Sequence, residues 1–189
     1  MDDRIRSFIA VAVPPESAES IRAAQDKLKV AGPQIKWVNP DSFHITLKFL
    51  GGVEPERLKA TWQSVSEALA GARPFTMRFR GVGAFPSASR ARVVWVGISE
   101  GADELTEIAK RVEQVCSEHG FEMENRPFTA HLTLGRAREP GPDPALAAAM
   151  KELAEADLGQ AGVDRVLLMR SELTRQGAIY HELEHKLLG

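Results

Sequence analysis

Cysteine is nearly absent from this chain, with Cys116 the only one in 189 residues. An internal disulfide and a cysteine-rich metal site are therefore excluded, and a reducing, cytoplasmic setting is expected. Cys116 itself reads as a core residue of a helix. No stretch approaches the ~20 consecutive apolar residues that a membrane helix needs. The apolar run from Phe8 to Val13 is too short, and too close to acidic residues, for a signal peptide. Positive charge is not in excess either, the formal net charge being −2. Proteins that coat nucleic acid without selectivity depend on a basic surface, so any such contact here has to be local. Arginines do cluster in sequence, at Arg78 and Arg80, at Arg90 and Arg92, and at Arg126, Arg136 and Arg138. Taken singly, each reads as a solvated surface charge.

What remains is ordinary globular material, 43% hydrophobic and 26% charged, in a chain long enough to bury a core. Residues 1–189 are read as a single domain of two lobes. Strands are expected over Arg4–Val13, Ile35–Val38, Phe43–Leu50, Pro74–Val82, Arg92–Ile98, Phe128–Gly135, Val163–Leu173 and Ala178–Leu187. Helices are expected from Glu16 to about Gly32, over Glu54–Ala70 and over Asp103–His119. A fourth follows the Pro140-Gly141-Pro142 loop, from Pro144 to Ala156. The Gly81-Val82-Gly83 run reads as a turn or bulge. Helices and hairpin-like strands are interspersed without a run of βαβ units, which predicts an α+β fold with antiparallel sheets.

Two segments stand out. Phe43-His44-Ile45-Thr46-Leu47-Lys48-Phe49-Leu50-Gly51 and Ala130-His131-Leu132-Thr133-Leu134-Gly135 share a His-x-Thr-Leu pattern, each in an expected strand near a glycine. With seven threonines and five histidines in the chain, two such matches by chance are improbable. A strand alternates its faces, so His44 and Thr46 share one face, as do His131 and Thr133. Strict alternation sends Ile45, Leu47 and Phe49 to the core, with Leu132 and Leu134 in the matching place. If the two strands lie together about a pseudo-twofold axis, a cleft receives two imidazoles and two hydroxyls.

Splitting a cyclic phosphodiester with water needs one group to take a proton from water and another to protonate the departing sugar oxygen. Histidines titrate in the right range for both tasks. Charge on the non-bridging oxygens needs directed donors, which threonine hydroxyls supply. Neither a metal nor another cofactor is required by this scheme.

In these segments, and in Arg6-Ser7-Phe8-Ile9-Ala10-Val11, Lys36-Trp37-Val38, Gly83-Ala84-Phe85-Pro86 and Val94-Trp95-Val96-Gly97, the chain resembles the 2H phosphoesterase superfamily. The closest resemblance is to the LigT-like RNA 2′,3′-cyclic phosphodiesterases, also called 2′-5′ RNA ligases. The resemblance implies a bilobal fold, with two antiparallel sheets and flanking helices about a pseudo-twofold cleft. It also implies hydrolysis of RNA 2′,3′-cyclic phosphate ends to 2′-phosphomonoesters, with weak reversible 2′-5′ ligation as a side activity. By the same resemblance His44 is the proton donor to the leaving 3′-oxygen and His131 the base acting on water, with Thr46 and Thr133 binding phosphate. The implied partners are RNA ends, tRNA fragments among them, met by a monomer without a membrane. Arg136 corresponds to an arginine after the family's second motif, an extra phosphate contact. Alternation works against that role, placing Arg136 with Leu132 and Leu134 unless the strand ends or twists at Gly135.

Two rival readings remain. His181-Glu182-Leu183-Glu184-His185 matches the His-Glu-x-x-His pattern of zinc hydrolases, which needs a helix to align its ligands, yet the stretch also reads as a closing strand. The other rival is a module that binds RNA ends without turning them over, for which two proton-transfer groups are superfluous. Among the aromatic residues, Trp62 and Trp95 read as core, while Trp37 is open to either packing or base stacking. His119 reads as a partner of a helix C-terminus.

Overall fold

A computed structural model describes residues 3–139, 141–174 and 177–189. Pro140, the first residue of one expected loop, lies outside them. The chain runs β1 (Ile5–Ala12), α1 (Glu19–Ala31), β2 (Ile35–Trp37), β3 (His44–Val53), α2 (Pro55–Ala68), β4 (Phe75–Phe85) and β5 (Val93–Glu100). It continues with α3 (Ala102–Glu118), β6 (His131–Ala137), α4 (Pro144–Glu152), β7 (Asp157–Val163), β8 (Arg165–Leu173) and β9 (Ala178–Leu187). This is the expected α+β class.

The strands form two antiparallel sheets, ordered β3-β1-β8-β9 and β2-β6-β5-β4-β7. Each sheet mixes the two halves of the chain: β8 and β9 complete the sheet begun by β1 and β3, while β4 joins β5 and β6. Helices follow the same exchange, with α3 packing on β3 and α2, and α1 on α4 and β7. The apolar stripe of α3, Leu105, Ile108, Val112 and Val115, is buried as its helical spacing requires, and so is Cys116 beside it. His119 caps that helix, its Nε2 3.0 Å from the Ser64 hydroxyl.

Two expectations about elements fail. The fourth helix stops at Glu152 rather than Ala156, because β4 takes its terminal carbonyls: the Val82 amide donates to Leu153 O and the Gly81 amide to Ala156 O. Gly81 stands at a bulge with φ +72, where a Cβ would lie 2.3 Å from the Ala154 carbonyl oxygen, so only glycine fits. The second failure is β7, which pairs with β4 although Asp157-Leu158-Gly159-Gln160-Ala161-Gly162-Val163 carries little β propensity.

Matching bulges shape the two histidine strands. Along β3, Thr46 faces Ala10 and Lys48 faces Ile9, leaving Leu47 as an extra residue. Along β6, Thr133 faces Trp95 and Gly135 faces Val94, leaving Leu134 as the extra one. A bulge shifts alternation by one residue. Phe49 therefore turns out of the core to 54% exposure, contrary to the strict period-two expectation, and Lys48 turns in.

Each bulge is held from behind by a helix of the other half. The buried Gln25 of α1 donates from Nε2 to Leu134 O at 3.1 Å and to Val38 O at 2.8 Å. Glu113 of α3 receives the buried Lys48 ammonium at 2.8 Å, which also donates to Glu122 O at 2.6 Å.

Candidate active site

β3 and β6 approach each other without hydrogen bonding, and the two histidines open these strands. Each imidazole is fixed in the same way. Nδ1 of His44 lies 2.7 Å from Ser42 O, and Nδ1 of His131 lies 2.7 Å from Thr129 O. A carbonyl oxygen only accepts, so Nδ1 carries the hydrogen in both rings and Nε2 is left for chemistry. The approach to each strand is matched too, Pro40-Asp41-Ser42-Phe43 before His44 and Pro127-Phe128-Thr129-Ala130 before His131. Proline followed two places later by a hydroxyl residue, then two more by histidine, is a sequence signal that lengthens the shared motif.

Aromatic rings stand at right angles to both imidazoles. Tyr180 meets His44 at 5.1 Å and 81°, and Phe85 meets His131 at 5.2 Å and 88°. Phe8 adds a tilted contact to His44 at 4.9 Å. This apolar surrounding has an electrostatic result: burial lowers the pKa of both histidines. The carbonyl contacts work against burial, while the Arg136 guanidinium lowers both values further.

Arg136 therefore acts on both histidines, and the bulge at Leu134 explains how. With Leu134 extra in the ladder, Arg136 returns to the face of His131 and Thr133. Along with His44, Thr46 and Thr133 it lines a cleft of about 500 Å³ between the strands. Neither threonine hydroxyl nor the Arg136 guanidinium has a hydrogen-bond partner among the described residues. His131 lies just outside this lining, two residues from Thr133 on the same face of β6.

Phe8, Phe49, Arg6 and Tyr180 also line the cleft, and sequence reasoning did not single them out for it. For Phe49 the signal existed: it is the fifth residue after His44, as Arg136 is the fifth after His131. Trp95, expected in the core, is only half-buried. It pairs with Thr133 and lies over Gly83, where a Cβ would come within 2.5 Å of the indole. Trp37 packs over Gly135 in the same manner, which favours its packing role.

The zinc reading fails on geometry. His181 and His185 lie on strand β9, not on a helix. His181 is paired with Arg170 and His185 with Leu167, and a bulge at Leu183 intervenes. Arg170 and Leu167 are three residues apart on a regular stretch of β8, so the two histidines project from opposite faces of the sheet. Among the described residues no three His, Cys, Asp or Glu side chains form a metal-binding group, and no helix is long and apolar enough to cross a membrane.

Comparison with known proteins agrees with the internal symmetry. Two consecutive segments, residues 11–95 and 96–180, each match the family model described as LigT like Phosphoesterase. The chain is 35% identical over 181 residues to the RNA 2′,3′-cyclic phosphodiesterase of Methanothermobacter thermautotrophicus, covering 96% of this chain and 97% of that one. It is 39% identical over 162 residues to the protein of the same name from Aeropyrum pernix, covering 84% and 89%. The crystal structure of E. coli LigT complexed with 3′-AMP superposes with a TM-score of 0.79 at 26% identity, over 98% of each chain. With both halves matched and the relatives aligned almost end to end, the chain belongs to the LigT-like phosphoesterase family.

Proposed function

We propose that this protein is an RNA 2′,3′-cyclic phosphodiesterase that opens the cyclic phosphate by two-histidine acid–base catalysis. The observation that carries the reading is the pair of imidazoles with Nδ1 tied to a backbone carbonyl, beside a cleft with two hydroxyls and a guanidinium that have no partner among the described residues. In the reaction His131 Nε2 takes a proton from water while the water oxygen attacks phosphorus. As the bond from phosphorus to O3′ breaks, His44 Nε2–H gives its proton to that oxygen, leaving a 2′-phosphomonoester and a free 3′-hydroxyl. Thr46 and Thr133 donate to the non-bridging oxygens, and Arg136 balances their charge. The free enzyme favours neutral imidazoles. A bound phosphodiester anion opposes that bias, so substrate itself helps to charge the acid.

The order of acid and base follows the family resemblance. The substrate class follows the relatives named as RNA 2′,3′-cyclic phosphodiesterases. RNA fragments with cyclic ends, including those of tRNA, are the substrates we infer. Residues 1–189 are read as one bilobal domain, since each sheet draws strands from both halves. A monomer suffices because one chain supplies both histidines. A cytoplasmic setting accords with a lone, buried cysteine.

The test is turnover of adenosine 2′,3′-cyclic phosphate in excess EDTA, with the product identified by ³¹P NMR. Formation of the 2′-monophosphate is expected. Binding without turnover would leave only the RNA-end binding module, and activity lost in EDTA but restored by zinc would overturn the metal-free scheme.

A further inference from the structure

Helix α1 buries one polar side chain, Gln25, among Ile21, Ala24 and Leu28. Its carboxamide nitrogen donates to two carbonyls, Val38 O at 2.8 Å and Leu134 O at 3.1 Å. Carbonyls only accept, so the amide has one workable orientation. Its oxygen is buried and has no hydrogen-bond partner among the described residues. An unmet buried acceptor costs stability, so the contribution of this side chain lies in the two contacts of its nitrogen.

Both contacts bear on the site. Leu134 is the extra residue of the β6 bulge, the irregularity that returns Arg136 to the face of His131 and Thr133. Its carbonyl also accepts from the Val38 amide at 2.9 Å, so Val38 and Leu134 are joined directly and again through Gln25. Val38 lines the cleft and leads into Asn39-Pro40-Asp41-Ser42, whose last carbonyl orients the His44 imidazole. Three residues before Gln25 on α1, Arg22 holds Asp41 of that same segment at 2.6 Å. The helix thus grips the approach to His44 at two points and the bulge of the His131 strand at one. Arg6 and Arg136 are the charged side chains lining the cleft, and the Arg136 charge acts on both histidines.

We propose that Gln25 is a positioning residue for the reaction, one that holds the Leu134 bulge against the Val38 segment and so fixes Arg136 and the two imidazoles relative to one another. This rests on the two-histidine reading above. Gln25 does not line the cleft; it acts through the backbone that carries Arg136 and His44. Without its amide the bulge is free to relax toward regular pairing, in which alternation turns Arg136 away from the cleft.

The experiment uses Gln25→Met, which keeps the length of the side chain and removes its donor. Two measurements are made: NMR titration of the His44 and His131 imidazoles in the free protein, and kcat/KM for adenosine 2′,3′-cyclic phosphate across pH in EDTA. Gln25→Met is expected to raise the pKa of both histidines, the direction expected of Arg136→Gln. It is also expected to lower kcat/KM by up to roughly 100-fold, the scale of a misplacement of about 1 Å. Added to Arg136→Gln it is expected to raise neither histidine further, because the charge it would displace is already gone. Leu28→Ala opens a cavity three residues along the same helix and touches neither hydrogen bond, so it is expected to lower stability and leave both titrations in place. If Gln25→Met does not fold, Gln25→Asn, which keeps an amide but withdraws it from both carbonyls, takes its place with the same expectations. Unmoved histidines overturn the proposal. So does a further rise on top of Arg136→Gln, or an equal rise in Leu28→Ala, either of which means a general loosening of the cleft. Failure of wild type to turn over the cyclic phosphate would instead sink the two-histidine reading, and the titrations would still decide whether Gln25 places Arg136.

Discussion

Phe49 and Arg136 occupy the same place in two copies of one strand design, each the fifth residue after its histidine and each turned into the cleft by a bulge at the intervening leucine. One wall of the cleft thereby offers an aromatic ring and the other a cation. The histidines and threonines around them are duplicated unchanged. The groups that the proposed scheme uses for proton transfer are thus repeated, whereas the two walls differ at this fifth position.

Replacing either His44 or His131 with alanine is expected to lower turnover of a 2′,3′-cyclic phosphate by ~10²–10⁴-fold, the usual contribution of a positioned acid or base. The double variant is expected to fall short of the product of the two losses, because groups acting as a unit are not additive. His181→Ala and His185→Ala should remain near wild type. Full activity in a folded His131→Ala protein would remove the base from the scheme.

The pH profile of kcat/KM reports the free enzyme. Burial and the Arg136 charge lower both histidines, so both limbs of the bell are expected on the acid side of the ordinary value of about 6.5. Removing the positive charge should move both limbs up. A pH–rate series on Arg136→Gln checks this, and a variant whose limbs move down or not at all contradicts the electrostatic assignment.

Thr46→Val and Thr133→Val each remove a donor without removing a titrating group. A loss of about 1–3 kcal/mol in transition-state stabilisation is expected, as for hydrogen bonds to charged partners. The bell should persist with its limbs unmoved, which steady-state kinetics across pH measures directly.

Lys48→Met leaves the Glu113 carboxylate and the Glu122 carbonyl without their shared ammonium partner. Breaking one side of a buried pair typically costs about 3–5 kcal/mol, and urea unfolding should register a loss of that order. Adding Glu113→Gln should recover part of it. A double variant no more stable than Lys48→Met would mean that Lys48 acts through packing instead.

Most of this architecture was legible in the sequence, and the exceptions share a cause. Leu105, Ile108, Val112 and Val115 announced α3 because a helix has one period and nothing interrupted it. The His-x-Thr segments announced two strands and the correct face for their first three residues. Beyond Leu47 and Leu134 alternation gave the wrong face for Phe49 and argued against Arg136, since a bulge arises from the ladder with a neighbouring strand and leaves no mark on the period itself. Strand β7 was hidden for a similar reason: its two glycines, Gly159 and Gly162, form a strand because β4 offers an edge, not because their own propensity asks for one.

The exchange of strands between the halves bears on why the two walls differ. A twofold dimer of one repeat would have to present the same side chain from both partners, because an isologous interface repeats every residue. Covalent union of the repeats lifts that restriction. Each wall is then open to separate mutation, so a phenylalanine on one side can coexist with an arginine on the other, and two identical imidazoles can take opposite halves of a proton relay. Symmetry persists in the His-x-Thr-Leu residues of both walls and is broken at the fifth position, where phenylalanine stands on one and arginine on the other.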